Sequence, residues 1–128
     1  MMTNHAEIAE QLFFKGYNCA QSVFCAFSDV TGYDIDSSAR MALSFGGGLG
    51  RLRETCGVVS AAALVLGIVK GYDDPADYDA KKRHYALIRE CHILICISWV
   101  LSGNTGHTAD RNHVAMALPN SPAWINYT

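Results

Sequence analysis

Two cysteines stand where the sequence starts a helix. In "GYNCAQSVFCAF" (16–27), Asn18 suits the N-cap and Gln21 follows three residues later, as in a capping box, so Cys19 becomes the first helical residue. In "GRLRETCGVVSAAA" (50–63), Cys56 falls in the first turn of another helix, after a glycine loop and close behind Arg51 and Arg53. Unpaired amide N–H groups and the positive end of a helix dipole both favour thiolate over thiol. A thiolate attacks disulfides and binds soft metals, so the chemistry open to Cys19 and Cys56 is thiol–disulfide exchange, or a share in an iron–sulfur or zinc site.

The other cysteines read differently. Cys25, Cys91 and Cys96 fit the usual behaviour of cysteine as a small buried hydrophobe. Cys25 lies six residues after Cys19 and Cys96 five after Cys91, so neither pair shares a helical face. There is no C-x-x-C, which excludes a thioredoxin-type dithiol and a zinc-ribbon knuckle. Any shared site must therefore come from tertiary contact. Two cysteines are too few for a closed cluster, and a full set would draw on Cys91, Cys96, a histidine or a second subunit.

Among other motifs, "SFGGGLGRLRE" has neither the Gly-Lys-Ser/Thr ending of a phosphate loop nor a preceding strand. Its glycines allow a tight turn and a close approach to another helix or to a ligand, which makes Gly47, Gly48 and Arg51 the cofactor-binding candidates. The five histidines form no H-E-x-x-H or comparable pair, and no serine triad emerges.

The elements that position these residues are helical. Thr3 or Asn4 caps a first helix with Ile8, Leu12 and Phe13 inward, and Gly16 takes the left-handed position after it. The Cys19 helix turns Val23, Phe24 and Phe27 inward and ends near Gly32. Asp36 caps a short third segment, which "GGGLG" (46–50) breaks. A fourth helix starts near Arg53 or Glu54 and runs to Gly71. Asp74 and Pro75 open a fifth, which reaches toward Leu101. Strand alternation is absent. The expectation is an all-α bundle of about five helices over 1–101 with an irregular tail over 102–128.

Composition narrows the function classes. A formal charge of −2 gives no reason to expect nucleic acid. "VVSAAALVLGIV" (58–69) is shorter than the roughly 18 apolar residues of a membrane span. The polar opening "MMTNHAEIAEQ" has no signal-peptide pattern, and the odd count of five cysteines argues against a closed disulfide framework. Both point to a reducing compartment, the cytoplasm.

"LFFKGYNCAQSVFCAF" followed by "FGGGLGRLRETCGVVSAAALVLGIVKG" resembles the small redox-active proteins named for a C…GCAxxG…C…C cysteine pattern, over about residues 5–90. A related module forms part of split-Soret cytochromes, where such cysteines accompany an iron–sulfur centre. The resemblance implies an all-helical fold and a redox or metal role for four cysteines, with Cys19 matching the first and Cys56 the second. Gly57 is kept, while Val58 stands where the family has alanine and Ala61 where it has the final glycine. The family's third and fourth cysteine segments have no counterpart here, since Cys91 and Cys96 come too early. Charge, periodicity and resemblance all change near residue 91, which fits a shift of reading frame.

The reading is a redox-active or metal-binding protein built on Cys19 and Cys56, with a homodimer and an electron-transfer partner expected. The alternative is a helical interaction module whose cysteines are structural.

Overall fold

The computed structural model describes the backbone of residues 4–101 and the side chains of residues 4–94; the expected irregular tail lies outside the described residues. Every regular element among the described residues is helical. They are α1 (His5–Phe14), α2 (Cys19–Ala26), α3 (Ser28–Thr31) and α4 (Ile35–Ala42), then α5 (Gly57–Lys70) and α6 (Tyr78–Leu101). A 3-10 turn, Leu43–Phe45, and a tight glycine turn, Gly46–Leu49, link α4 to α5.

Helix α2 is the hub, with α1, α4 and α5 all packed on it. Its buried face carries Val23, Phe24 and the following Phe27, each at most 1% exposed. Val58, Ala61, Ala62, Val65 and Leu66 of α5 meet it with the same complete burial. Alanine at six of the buried α1, α2 and α5 positions keeps the helix axes close, as small side chains permit ridge-into-groove packing at short range. From α1, Ala6, Ala9 and Leu12 close one side, with Ile8 and Phe13 half-buried around them.

The helix boundaries follow their caps, and two of these differ from the sequence reading. Asn4 caps α1 through Glu7 N–H (3.1 Å). Helix α4, the expected third segment, is capped by Asp34, not Asp36: the Asp34 carboxylate accepts from Ser37 N–H at 2.7 Å, and that bond holds its carboxyl below the ordinary range. The cap moves two residues upstream because Asp34, unlike Asp36, has the extended backbone an N-cap needs. Asp74 serves a turn before the last helix, accepting from Ala76 N–H at 3.0 Å, while Asp77 accepts from Ala80 N–H at 3.0 Å and fills the capping role. Helix α6 continues through Cys91 to Leu101, so the change of composition near residue 91 is not a helix end.

Candidate functional site

Residues 15–21 and 43–57 meet at one end of the bundle, and each motif residue there has a structural task. The Asn18 side chain accepts from Gln21 N–H (2.8 Å) while Gln21 Oε1 accepts from Asn18 N–H (3.0 Å), completing the expected capping box. The same two side chains use their remaining donors on α4 and the turn after it. Asn18 Nδ2 donates to Leu43 O (3.1 Å) and Gln21 Nε2 donates to Ala39 O (2.9 Å). The start of α2 is thereby fixed against the glycine turn. Gly46 must lack a side chain because a Cβ there would collide with the Asn18 amide, its Cγ only 2.6 Å away.

Cys19 is the first residue of α2 and Cys56 is the N-cap of α5, both half-buried. The sequence reading placed Cys56 inside the first turn; in the structure it is one residue earlier, and Gly57 opens the helix. The two helix starts face each other through that glycine. A Cβ on Gly57 would lie 2.6 Å from Cys19 Sγ, 3.1 Å from Phe45 O and 3.2 Å from the Ala20 methyl. The Cys19 sulfur therefore occupies the space a side chain would need, about 4 Å from Gly57 Cα and so within about 8 Å of Cys56 Cα, given the 3.8 Å step between neighbouring Cα atoms.

The loop that leads to Cys56 is left-handed. Gly47, Gly48, Leu49, Gly50 and Arg51 all have φ between 58° and 76°, and Arg53 repeats it at 58°. Glycine adopts this backbone freely, but Leu49, Arg51 and Arg53 each carry a cost of roughly 1–2 kcal/mol there. Long backbone bonds hold the turn, from Gly50 N–H to Ser44 O (2.9 Å) and from Glu54 N–H to Gly48 O (3.0 Å). Of the three cofactor-binding candidates, Gly48 is buried with its bare face 2.6 Å from Arg53 Cα, measured to the position of a Cβ. Gly47 is exposed, and the Arg51 side chain folds back over it with Cγ 2.9 Å from the equivalent point. Close approach of the loop to itself thus accounts for Gly48, while Gly47 remains open to solvent.

An open cleft of about 490 Å³ lies beside Cys19, walled by Phe13, Phe14, Tyr17, Asn18 and the backbone of Gly47. The other described cysteines have no such access. Cys25 is 1% exposed and its thiol donates to Ile35 O at 3.6 Å; burial, reinforced by the Asp36 carboxylate, pushes this thiol up. Cys91 is 4% exposed, and burial pushes it up to about 11. The expectation of structural roles for these two is met by their place in the core; the side chain of Cys96 lies outside the described residues.

The model of the family described as "Putative redox-active protein (C_GCAxxG_C_C)" matches residues 17–96, well over half of the chain. The chain belongs to this family. Its match begins one residue before Asn18 and takes in the capping box, the glycine turn, Cys56 and Gly57. No curated protein and no solved structure matches the chain.

An iron–sulfur or zinc site needs several soft donors that converge. Among the described residues no three His, Cys, Asp or Glu side chains converge to hold a metal ion. Cys19 and Cys56 supply two soft donors at most, and Cys25 and Cys91 are committed to the core. The described residues do not fit a closed thiolate site. Nor is any described helix long and apolar enough to cross a membrane.

One pair escaped the sequence reading. His5, buried at the start of α1, gives its Nε2–H to Asp29 of α3 at 3.0 and 3.1 Å and stacks on Phe27 with ring centroids 4.2 Å apart. Twenty-four residues separate the partners, and no local pattern marks a contact of that range. It ties α1 to α3 and shares no residue with the cysteine site.

Proposed function

We propose that the chain is a thiol–disulfide redox protein of a reducing compartment such as the cytoplasm, with Cys19 and Cys56 as its dithiol. In the oxidising direction the two thiols lose two protons and two electrons and form one S–S bond, and a disulfide of a partner molecule takes them up as two thiols. The observation that carries this reading is the seat of Cys19 Sγ against Gly57, the residue that follows Cys56. Family membership supports it, as does the contrast with Cys25 and Cys91, whose burial keeps them out of exchange.

Equilibration of the full chain with graded ratios of oxidised to reduced dithiothreitol tests the proposal. The free-thiol count should fall from the sequence total of five to three in a single two-electron transition. Cys19→Ser and Cys56→Ser should each abolish that transition. A transition that survives in either variant would show that another pair of cysteines carries the chemistry.

A further inference from the structure

The two cysteines of the pair differ in what they face. Cys19 forms part of the wall of the open cleft, whereas Cys56 contributes nothing to it. The walls are chemically distinctive as well. Phe13, Phe14 and Tyr17 supply aromatic surface, Asn18 is neutral with its amide oxygen engaged in capping and its Nδ2 bonded to Leu43 O, and Gly47 presents bare backbone. Among the described residues, no charged side chain lines the cleft. Phe14 is 58% exposed, a large apolar surface left at the mouth.

We infer that this cleft seats the neutral, apolar arm of a disulfide substrate, with Cys19 as the thiol that attacks it. The inference rests on the dithiol reading above and adds the class of substrate. In the step, Cys19 Sγ forms a bond to one sulfur of R–S–S–R, the S–S bond breaks, and the departing RS⁻ takes a proton from solvent. Cys56 then attacks Cys19 Sγ, releases the second arm as a thiol and leaves the Cys19–Cys56 disulfide. One substrate disulfide is reduced to two thiols as one protein dithiol is oxidised, so atoms and electrons balance. An anionic arm meets no cation among the described residues that line the cleft and would lose its hydration against the aromatic wall. An aromatic or aliphatic arm gains by burying its surface there.

The test uses two reagents that deliver a single arm. Benzyl methanethiosulfonate and 2-sulfonatoethyl methanethiosulfonate each transfer RS to a thiolate and release methanesulfinate. With the full-length C56S chain, the mixed disulfide at Cys19 is trapped and located by peptide mass spectrometry. Each rate is divided by the rate of the same reagent with N-acetylcysteine, which removes intrinsic reactivity. The benzyl reagent should exceed the anionic one at Cys19 by about tenfold, the gain expected for partly burying one ring. Phe14→Ala, at an exposed position, should bring the ratio to within about threefold of unity by removing one wall of the cleft. In the chain with Cys56 intact, benzyl thiol should be released. Equal normalised rates, or modification of Cys25 or Cys91 ahead of Cys19, would overturn the cleft assignment while leaving the dithiothreitol transition intact. A benzyl preference without release of benzyl thiol would keep the cleft assignment and overturn the dithiol reading.

Discussion

Cys19 and Cys25 occupy one eight-residue helix, yet they present opposite environments. The first opens the helix beside a cleft; the second faces the core, 1% exposed, with its thiol bonded to a carbonyl of α4. Cys56 and Cys91 repeat the contrast at the helix start of α5 and the middle of α6. Position relative to the helix end, and not residue type, separates a thiol available for exchange from one used as a small hydrophobe. The six-residue spacing of Cys19 and Cys25 places them on different faces, and the fold buries only one of those faces.

The contrast can be broken most sharply by reactivity. At pH 8 the thiolate fraction of Cys91, with its thiol pushed up to about 11, lies about a hundredfold below that of a thiol at 9.0, and burial blocks reagents further. Alkylation by iodoacetamide followed by peptide mapping should therefore label Cys19 and Cys56 before the buried Cys25 and Cys91. Comparable labelling of all four would erase the distinction.

Gly57→Ala attacks the juxtaposition itself. The new methyl must displace Cys19 Sγ, at a cost of about 1–3 kcal/mol, even though alanine suits a first helical residue better than glycine. Chemical denaturation should show the loss, and Cys19→Ala in the same chain should recover part of it. A coupling below about 0.5 kcal/mol in that double-mutant cycle would mean that sulfur and glycine are not in contact.

The core thiols sharpen the comparison through pH. Below the ordinary thiol value of 9.0, Cys91 is neutral in both folded and unfolded chains and the stability it supports is fully present. Between 9 and about 11 the unfolded chain gives up this proton and the folded chain keeps it, so stability falls as pH rises, by about 1.4 kcal/mol per unit. Denaturation at pH 8.5 and 10.5 should show a steeper decline in the intact chain than in Cys91→Ala. Equal slopes would place Cys91 in contact with solvent.

The smallest expected effect concerns the left-handed turn. Leu49 has φ 71° and is 46% exposed, so Leu49→Gly relieves backbone strain while losing little burial. A gain of up to about 1 kcal/mol in unfolding free energy should result once the entropy of the added glycine is subtracted. A loss would show that Leu49 stabilises the turn by packing.

The all-helical class was legible because apolar residues recur at helical spacing and the caps are written locally. Asn18 with Gln21, Gly16 and Gly32 are such signals, each acting within a few residues. Asp34 and Asp77 were passed over for Asp36 and Asp74 because closely spaced aspartates all satisfy the cap chemistry, and only the backbone conformation decides among them. Cys19 and Cys56 were legible as helix-start cysteines. Their meeting was not, since it depends on Gly57 fitting beneath a sulfur thirty-eight positions earlier in the chain. The cleft escaped for the same reason: Phe13 reads as part of a helix stripe, and only the placement of Tyr17 and Gly47 beside it makes a wall. The second use of Asn18 and Gln21, as donors to carbonyls of Leu43 and Ala39, likewise leaves no trace in local spacing.

The most direct measurement of the central claim is the connectivity of the disulfide formed when the full chain is oxidised to a loss of two thiols. Trypsin places Cys19 and Cys25 on the peptide 16–40 and Cys56 on the peptide 54–70, so fragmentation of the linked pair must show which cysteine of the first peptide is joined. A Cys19–Cys56 link is expected, with Cys25 still carrying a free thiol. A link through Cys25 or Cys91, or none that includes Cys56, would contradict it.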